Sequence, residues 1–243
     1  MSTPTAPPAD LKSRMAASYD AIAQTYYTTF VENDTKDFRL KYLAQLLSLL
    51  QENSPNAAPT KVLELGCGAG VPVTQALLQH PHTPLHITAN DLSPTQINLA
   101  RTHLTPYLSP PLSPHPSSLA SDRLTLIPGD MTALTFPDAT FAAVLAFYSI
   151  IHLPRAEQVT LMQKISAWLQ PGGLFLANFA ADENENVVNE NWLGEEKGWV
   201  YWSSWGEEGS VKMVEECGLE VLVREISDDA ADARFVWVIA RKR

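Results

Sequence analysis

The sequence predicts an α/β fold in which a mixed, mostly parallel sheet carries helices on both faces. Two observations lead to this prediction. Between residues 60 and 180, short apolar runs alternate with segments of helical periodicity, which is typical of βαβ units. Near the C-terminus, the apolar runs "EVLVREI" and "RFVWVIARK" flank the turn-like "SDDAADA" and predict an antiparallel hairpin.

The individual elements follow from the same periodicities. Before the first strand, "LKSRMAASYDAIAQTYY" and "FRLKYLAQLLSLL" have apolar residues at helical spacing and predict a cap of two or three helices. The elements predicted next are strand 61–65, helix 71–79, strand 85–90, helix 94–106, strand 123–127, strand 141–147, helix 155–169 and strand 173–179. The helix between the third and fourth strands is short or missing. A last helix, "EEGSVKMVEECGL", precedes the hairpin.

Composition narrows the function classes. The chain has 243 residues, 45% of them hydrophobic, which is enough for one domain with a core of its own. A formal net charge of −10 disfavours nucleic acid or an anionic membrane as a partner. The two cysteines form no CxxC pair and give no support for a disulfide framework or a metal site. With no signal-peptide pattern or membrane span, we expect a cytoplasmic protein.

The expected organisation is a disordered tail at 1–9 and a single domain at 10–243. Within the domain we expect a helical cap at 10–57, a core at 58–180, an acceptor lid at 181–206, and a helix with the hairpin at 207–243. The Pro- and Ser-rich stretch 108–121 reads as an exposed insertion in the core.

The stretch "KVLELGCGAG", residues 61–70, suggests a ligand site. Gly66, Gly68 and Gly70 follow a strand and precede a helix, so the turn between them lets a ligand approach the backbone closely. An ordinary βα turn is the alternative interpretation of the glycines alone. A nicotinamide-binding turn would place its third glycine one position later, where Val71 stands.

Residues 64 to 70 resemble the first motif of class I S-adenosylmethionine-dependent methyltransferases, E/D-x-G-x-G-x-G. The resemblance implies a Rossmann-like fold and S-adenosylmethionine as cofactor, with S-adenosylhomocysteine as its product. It places Glu64 at the cofactor's amino group and the loop, including Cys67, beside its methionine portion. An acid at a strand end that faces water is the alternative for Glu64.

Further cofactor contacts are expected at the ends of the following strands. Asp91 stands 25 positions after Gly66, where a carboxylate can accept hydrogen bonds from both ribose hydroxyls. Asp91 is not needed as a helix cap, because Ser93 and Pro94 already supply a cap and a first turn. The resemblance assigns Asp130 and Met131 to the adenine. It extends over about residues 17 to 240 and adds Leu92, Ala146, Phe147, Tyr19 and Tyr26 to the expected cofactor contacts.

The acceptor of the methyl group is expected to be a small organic molecule, methylated at oxygen, nitrogen or sulfur. "AFYS" stands where adenine-N6 methyltransferases have D/N-P-P-Y/F, and no Pro-Cys is present for a cytosine-C5 nucleophile. Tyr27 and an aromatic segment are the predicted acceptor contacts. The segment contributes Trp192, Trp199, Tyr201, Trp202 and Trp205. These rings either form a wall for the acceptor or pack a helical lid onto the body.

His152, just past the fourth strand, is the candidate general base. A histidine that hydrogen-bonds the backbone or lines the cofactor pocket is the alternative. The other histidines, His80, His82, His86, His103 and His115, lack metal-ligand spacing and are expected at the surface or in packing.

A monomer or homodimer is expected. A cofactor-binding protein with a non-methylating activity and a nicotinamide-dependent oxidoreductase are the two alternative functions.

Overall fold

The fold is described from a computed structural model that covers residues 6–32, 38–53, 60–81, 85–108, 123–229 and 233–243. Residues 1–5 of the tail predicted over 1–9 lie outside these ranges. Residues 109–121 of the insertion predicted over 108–121 also lie outside them. His82 and His115 also fall outside the described residues.

Within the described residues, three α-helices precede the first strand. They are α1 (Leu11–Ala21), α2 (Ala23–Tyr27) and α3 (Phe38–Asn53), and a π-helical turn, Thr28–Glu32, follows α2 directly. Leu11 and Met15 lie on the buried side of α1, and Leu43 and Leu46 lie on the buried side of α3. The periodicity read from the sequence therefore corresponds to the faces that these helices bury.

Strands and helices make up the rest of the described chain. In order they are β1 (Thr60–Leu65), α4 (Val73–Leu78), β2 (Leu85–Asp91), α5 (Pro94–Leu108), β3 (Leu124–Pro128), β4 (Phe141–Ala146), α6 (Arg155–Trp168), β5 (Leu169–Ala180), β6 (Glu183–Asn189), β7 (Val200–Trp205), α7 (Gly206–Glu216), β8 (Leu219–Asp228) and β9 (Arg234–Lys242). A short 3-10 turn, Met131–Ala133, stands between β3 and β4. The prediction that the helix between the third and fourth strands is short or missing is thus confirmed.

Seven strands form one mixed sheet in the order β3-β2-β1-β4-β5-β9-β8. The pairs from β3 to β5 are parallel, whereas β9 pairs antiparallel with both β5 and β8. This is the mostly parallel, Rossmann-like sheet with the C-terminal hairpin that the sequence predicts. The strand order reverses at β1, which lies between β2 and β4, and ligands of such sheets bind at that point beyond the carboxyl ends of the strands.

Alternate residues of the central strands pack onto opposite faces of the sheet. Val62 and Leu145 belong to a cluster with α3, α4 and α5, while Leu63 and Val144 belong to a cluster with α6 and α7. Both faces are therefore covered, as a central parallel strand requires.

The segment between β5 and α7 forms a separate two-stranded antiparallel sheet, β6-β7. The helical interpretation of residues 181–206 is therefore wrong. Strand β7, "VYWSSW", is rich in aromatic residues and β6, "ENENVVN", contains two adjacent valines, and residues of both types favour strands. Val188, Trp199, Val200 and Tyr201 pack against α1 and tie the N-terminal helix to this hairpin.

Candidate active site

The glycine loop joins β1 to α4, and all three of its glycines have positive φ. A Cβ on Gly66 would overlap Ser149, which follows β4, and a Cβ on Gly70 would lie 2.7 Å from Leu104 of α5. Gly68 has no such neighbour. Close packing therefore requires Gly66 and Gly70 to be bare, while Gly66 and Gly68 line the cavity in front of the loop.

Glu64 is the last residue but one of β1 and lines this cavity. It is only 3% exposed and accepts a hydrogen bond of 2.6 Å from the Thr74 hydroxyl. Burial raises the pKa of Glu64 to about 7, although the hydrogen bond from Thr74 lowers it. A cationic group in the cavity would stabilise the ionised form. Glu64 is thus suited to hold an ammonium group.

Arg39 of α3 lines the same cavity, and sequence reasoning missed it. Its guanidinium is buried and donates a hydrogen bond of 2.7 Å to the backbone oxygen of Phe30. A carboxylate and a guanidinium therefore line one cavity. Together they suit a ligand that carries both an amino group and a carboxylate.

Asp91 stands at the end of β2, beside the glycine loop. Its two carboxylate oxygens accept hydrogen bonds from the backbone N–H of Gly68 at 2.8 Å and of Ser93 at 2.9 Å. Burial is the main reason why its pKa is raised to about 6. The Ser93 hydroxyl in turn accepts a 3.0 Å hydrogen bond from the backbone N–H of Gln96, so Ser93 caps α5 as predicted.

Asp20 of α1 adds a contact that the sequence did not reveal. Its Oδ1 accepts hydrogen bonds from the Ser93 hydroxyl at 2.5 Å and from the Thr95 amide at 3.1 Å. These groups lie more than 70 positions apart in the chain. The N-terminal helix is thereby tied to the start of α5, next to Asp91.

A second cavity adjoins the first and shares Tyr26, Gly66, Gly68 and Phe147 with it. The predicted cofactor residues that line at least one of the two cavities are Tyr19, Tyr26, Glu64, Gly66, Cys67, Gly68, Asp91, Leu92, Asp130, Met131 and Phe147. Gly70 and Ala146 line neither of these two cavities of the described chain. Gly70 packs on α5, and Ala146 is fully buried in β4.

Gln96 is a further polar residue of both cavities. It is 2% exposed, and neither atom of its amide group has a hydrogen-bond partner among the described residues. A buried amide without partners is costly, so this side chain is poised to bind a polar ligand. In the sequence, only the position of Gln96 in the first turn of the helix that follows Asp91 could have indicated that it lies at the site.

The profile of the family described as "Methyltransferase domain" matches residues 62–173, the stretch that holds the glycine loop, Asp91 and Asp130. The chain is also similar to a sterol 24-C-methyltransferase of Gibberella zeae, with 30% identity over 186 residues. Residues 62–173 therefore match a methyltransferase domain, and the chain is similar to class I S-adenosylmethionine-dependent methyltransferases. The alignment with the Gibberella zeae relative covers 74% of this chain and 45% of that relative, so the chain spans less than half of the relative's length.

Solved structures support the same fold. The chain resembles the (4+2)-cyclase SpnF with a TM-score of 0.67 and 17% identity, over 99% of this chain and 98% of that one. It also resembles the 1,6-didemethyltoxoflavin-N1-methyltransferase of Burkholderia thailandensis, which was crystallised with 1,6-didemethyltoxoflavin and S-adenosylhomocysteine. Here the TM-score is 0.66 at 15% identity, over 100% of this chain and 93% of that one.

The residues present fit S-adenosylmethionine, the cofactor of this family. Gln96, whose side-chain amide has no partner among the described residues, and Gly68, whose backbone is bare, line both cavities; Glu64 lines the first and Asp91 the second. Burial raises the pKa of the Cys67 thiol, which therefore stays protonated. Cys67 is thus a small filler of the loop.

Asp130 lies beyond β3 and is held by two hydrogen bonds. It accepts hydrogen bonds from the Thr132 amide at 2.9 Å and from the Lys12 ammonium at 3.3 Å. Lys12 also lies 2.6 Å from Glu157 of α6. The first turn of α1 is thereby fastened over the part of the cavity that is predicted to take the adenine.

His152 ends a 3-10 turn after β4 and lines the second cavity. Its Nδ1 lies 2.8 Å from the Tyr201 backbone oxygen, and its Nε2 lies 2.9 Å from the Tyr19 hydroxyl. Burial lowers its pKa to about 4. The imidazole is therefore neutral at physiological pH and is a weak base. Its role as general base remains a prediction.

Of the predicted acceptor residues, Tyr27 lines the first cavity. The five aromatic residues of the 181–206 segment line neither described cavity. Trp192 forms a second layer, with ring centroids 5.5 Å from Tyr19 and 5.8 Å from Tyr26. Trp199 is buried beneath the guanidinium of Arg14.

The remaining rings of the segment are anchored elsewhere. Tyr201 is fully buried and donates a 2.6 Å hydrogen bond to Asn186. Trp202 meets Trp192 edge to face, and Trp205 lies beneath the Arg155 guanidinium, 4.6 Å from its ring centroid. These rings fasten the β6-β7 hairpin to the body, and their contact with an acceptor remains a prediction.

Proposed function

We propose that the protein transfers a methyl group from S-adenosylmethionine to a small organic acceptor, at oxygen, nitrogen or sulfur. The observation that carries this proposal is the placement of Glu64 and Asp91 on adjacent strand ends, each at one of two adjoining cavities that share Gly66 and Gly68. When bound, the cofactor supplies a methyl group that its sulfonium centre makes electrophilic. The chain then has to hold the cofactor, align the acceptor and exclude water.

Each part of the cofactor has a proposed binding residue. Glu64 binds the amino group, Arg39 the carboxylate, and Asp91 the ribose hydroxyls, while Asp130 and Met131 contact the adenine. Gln96 donates to and accepts from polar atoms near the ribose, because its amide has no partner among the described residues. Tyr19, Tyr26 and Phe147 enclose the sulfur side of the cavity.

The acceptor region is proposed to lie beside Tyr19, Tyr27 and His152, with residues 181–206 as the lid above it. Trp192 supports this placement because it contacts two tyrosines that line the second cavity. The similarity to a sterol methyltransferase and to a didemethyltoxoflavin methyltransferase favours a small-molecule acceptor.

The proposed setting is the cytoplasm, with a monomer or homodimer as the working form and no nucleic acid as partner. The net charge of −10 supports the last point. None of the helices in the described ranges is both long enough and apolar enough to cross a membrane.

Transfer is tested by incubating the full chain with S-adenosylmethionine tritiated in its methyl group and a low-molecular-weight metabolite extract. We expect label in an organic product, and we expect excess S-adenosylhomocysteine to suppress it. If the chain binds S-adenosylhomocysteine tightly but labels no molecule in a broad acceptor panel, the transfer function is wrong and a non-methylating activity is favoured.

A further inference from the structure

The imidazole of His152 is hydrogen-bonded at both nitrogens. A backbone carbonyl only accepts hydrogen bonds, so the 2.8 Å contact with Tyr201 places the ring proton on Nδ1. In the neutral ring Nε2 then accepts from the Tyr19 hydroxyl, 2.9 Å away. His152 has no second lone pair with which to take a proton from an acceptor molecule.

Neither member of the Tyr19–His152 pair ionises near neutral pH. Burial lowers the pKa of His152 to about 4, while burial, with the nearby Tyr26 and Asp91, raises the pKa of Tyr19 well above its ordinary value. The hydrogen of the Tyr19 hydroxyl therefore points to His152. The Tyr19 oxygen keeps a free lone pair.

The position of the Tyr19 ring is fixed by three neighbouring rings. Tyr26 and Trp192 meet it edge to face with centroids 5.5 Å away, and His152 does so at 5.7 Å. Tyr19 and His152 both line the second cavity, together with Asp91 and Ser149. The oxygen of Tyr19 is thus held at the cavity wall as a hydrogen-bond acceptor.

We propose that Tyr19 receives a hydrogen bond from an N–H group of a neutral amine acceptor, and that His152 is the positioning residue that orients the Tyr19 hydroxyl. This inference rests on the proposed methyl-transfer function and gives His152 a role different from general base. It also narrows the acceptor from oxygen, nitrogen or sulfur to nitrogen.

The charges around the second cavity favour a neutral acceptor. Lys12, Asp91 and Asp130 are its charged lining residues, and Lys12 is already paired with Asp130 at 3.3 Å and Glu157 at 2.6 Å. Carboxylates outnumber cations here, so an anionic acceptor such as a phenolate or thiolate would be repelled.

A neutral amine needs no base during the transfer step. Its nitrogen lone pair forms the new N–C bond, and the electrons of the broken C–S bond stay with the sulfur. The proton remains on the methylated nitrogen as an ammonium and passes to water after the product leaves. An alcohol would have to lose its proton to a group that the Tyr19–His152 pair does not supply.

The arrangement of the pair is tested by 15N NMR of the full chain labelled at its histidines, with S-adenosylhomocysteine bound, between pH 5.5 and 8.5. His152→Gln assigns the resonances. We expect a protonated Nδ1, an unprotonated Nε2 and no titration, and Tyr19→Phe should move the Nε2 resonance while the control Tyr107→Phe does not. Titration of His152 in this range, or a protonated Nε2, would overturn the proposal.

The acceptor class is tested with two probes added to the S-adenosylhomocysteine-loaded chain. Aniline carries N–H groups and N,N-dimethylaniline has none. We expect Tyr19→Phe to weaken aniline binding about three- to tenfold, the usual worth of one hydrogen bond, without changing the binding of N,N-dimethylaniline. In His152→Gln the amide oxygen can still accept from Tyr19, so the loss should be smaller.

Equal effects on the two probes, or no binding of aniline, would overturn the amine assignment. If S-adenosylhomocysteine itself does not bind, the proposed function fails. The NMR spectra of the chain without ligand would still decide the Tyr19–His152 arrangement, so the two failures are distinguishable.

Discussion

The carboxylate of Asp91 accepts a hydrogen bond of 2.8 Å from the backbone N–H of Gly68. This contact ties the end of β2 to the glycine loop that follows β1. The other carboxylate oxygen accepts from the Ser93 amide at 2.9 Å. Asp91 therefore shapes the loop and also faces the second cavity, where a ribose would lie.

Replacing Asp91→Ala removes the proposed ribose contacts and releases the loop. Hydrogen bonds to a charged group contribute about 1.5–3 kcal/mol, so we expect the Kd for S-adenosylhomocysteine to rise between about tenfold and about a hundredfold. Titration calorimetry measures this. Asp138→Ala, an exposed aspartate in the turn before β4, is the matched control and should bind as the wild type does. Unchanged affinity in Asp91→Ala would refute the ribose assignment.

Alanine substitutions at Gly66 and Gly172 measure how much stability depends on the close packing of the glycine loop against Ser149. Both residues have φ of +76°, but a Cβ on Gly66 would overlap Ser149, whereas a Cβ on Gly172 would meet nothing within 4 Å. Gly172→Ala should cost about 1–2 kcal/mol of unfolding free energy for the left-handed backbone. Gly66→Ala should cost about 1–3 kcal/mol more because of overpacking. Urea unfolding measures both values, and equal losses would show that no close packing exists at Gly66.

Glu64 makes the stability of the cofactor-free protein depend on pH. Its pKa is raised from 4.5 to about 7, so the folded state binds this proton more tightly than the unfolded state does. The contribution of Glu64 to stability is therefore present below about pH 4.5 and is lost as the pH rises to about 7. Asp91, with its pKa raised to about 6, acts in the same direction.

Glu64→Gln isolates this contribution, because the amide does not titrate. Relative to wild type, the variant should gain stability between pH 4 and pH 8, by a difference on the order of 3 kcal/mol in unfolding free energy. Urea unfolding at both pH values measures it, and Glu215→Gln, an exposed glutamate of α7, is the matched control. A wild type and a Glu64→Gln variant with parallel pH profiles would contradict the prediction.

Two tryptophans of the β6-β7 hairpin should behave differently when replaced by alanine. Trp199 is 5% exposed, so Trp199→Ala should cost about 3–5 kcal/mol of unfolding free energy. Trp192 is partly exposed and supports Tyr19 and Tyr26. Trp192→Ala should therefore raise the KM for the labelled acceptor with a much smaller loss of stability. Wild-type kinetics in Trp192→Ala would leave this hairpin a packing element only.

The sequence predicted the sheet and the strand-end positions of Glu64 and Asp91 because both depend on local patterns. Alternating apolar runs define the strands, and fixed spacings place Glu64 and Asp91 at the ends of β1 and β2. Parallel neighbours bring these ends together without further information. Gly70 is an exception, because its demand for a bare backbone comes from Leu104, a packing contact between distant residues.

Several site residues were not predictable, since they act through contacts that join distant parts of the chain. Asp20 reaches Ser93, and Arg39 enters the cavity from α3. His152 was predicted, but its pairing with Tyr19 depends on how α1 packs. Aromatic residues occur in helices and in strands, so the sequence of residues 181–206 also allows a helical lid. Only the pairing of β6 with β7 decides for the two strands.

Calorimetric titration with S-adenosylhomocysteine tests most directly whether the two adjoining cavities that Glu64 and Asp91 line bind the cofactor of this family. We expect binding at one site per chain, weaker binding in both Asp91→Ala and Glu64→Gln, and no heat of binding with NAD. Absence of S-adenosylhomocysteine binding, tighter binding of NAD, or an affinity that neither substitution changes would contradict the claim.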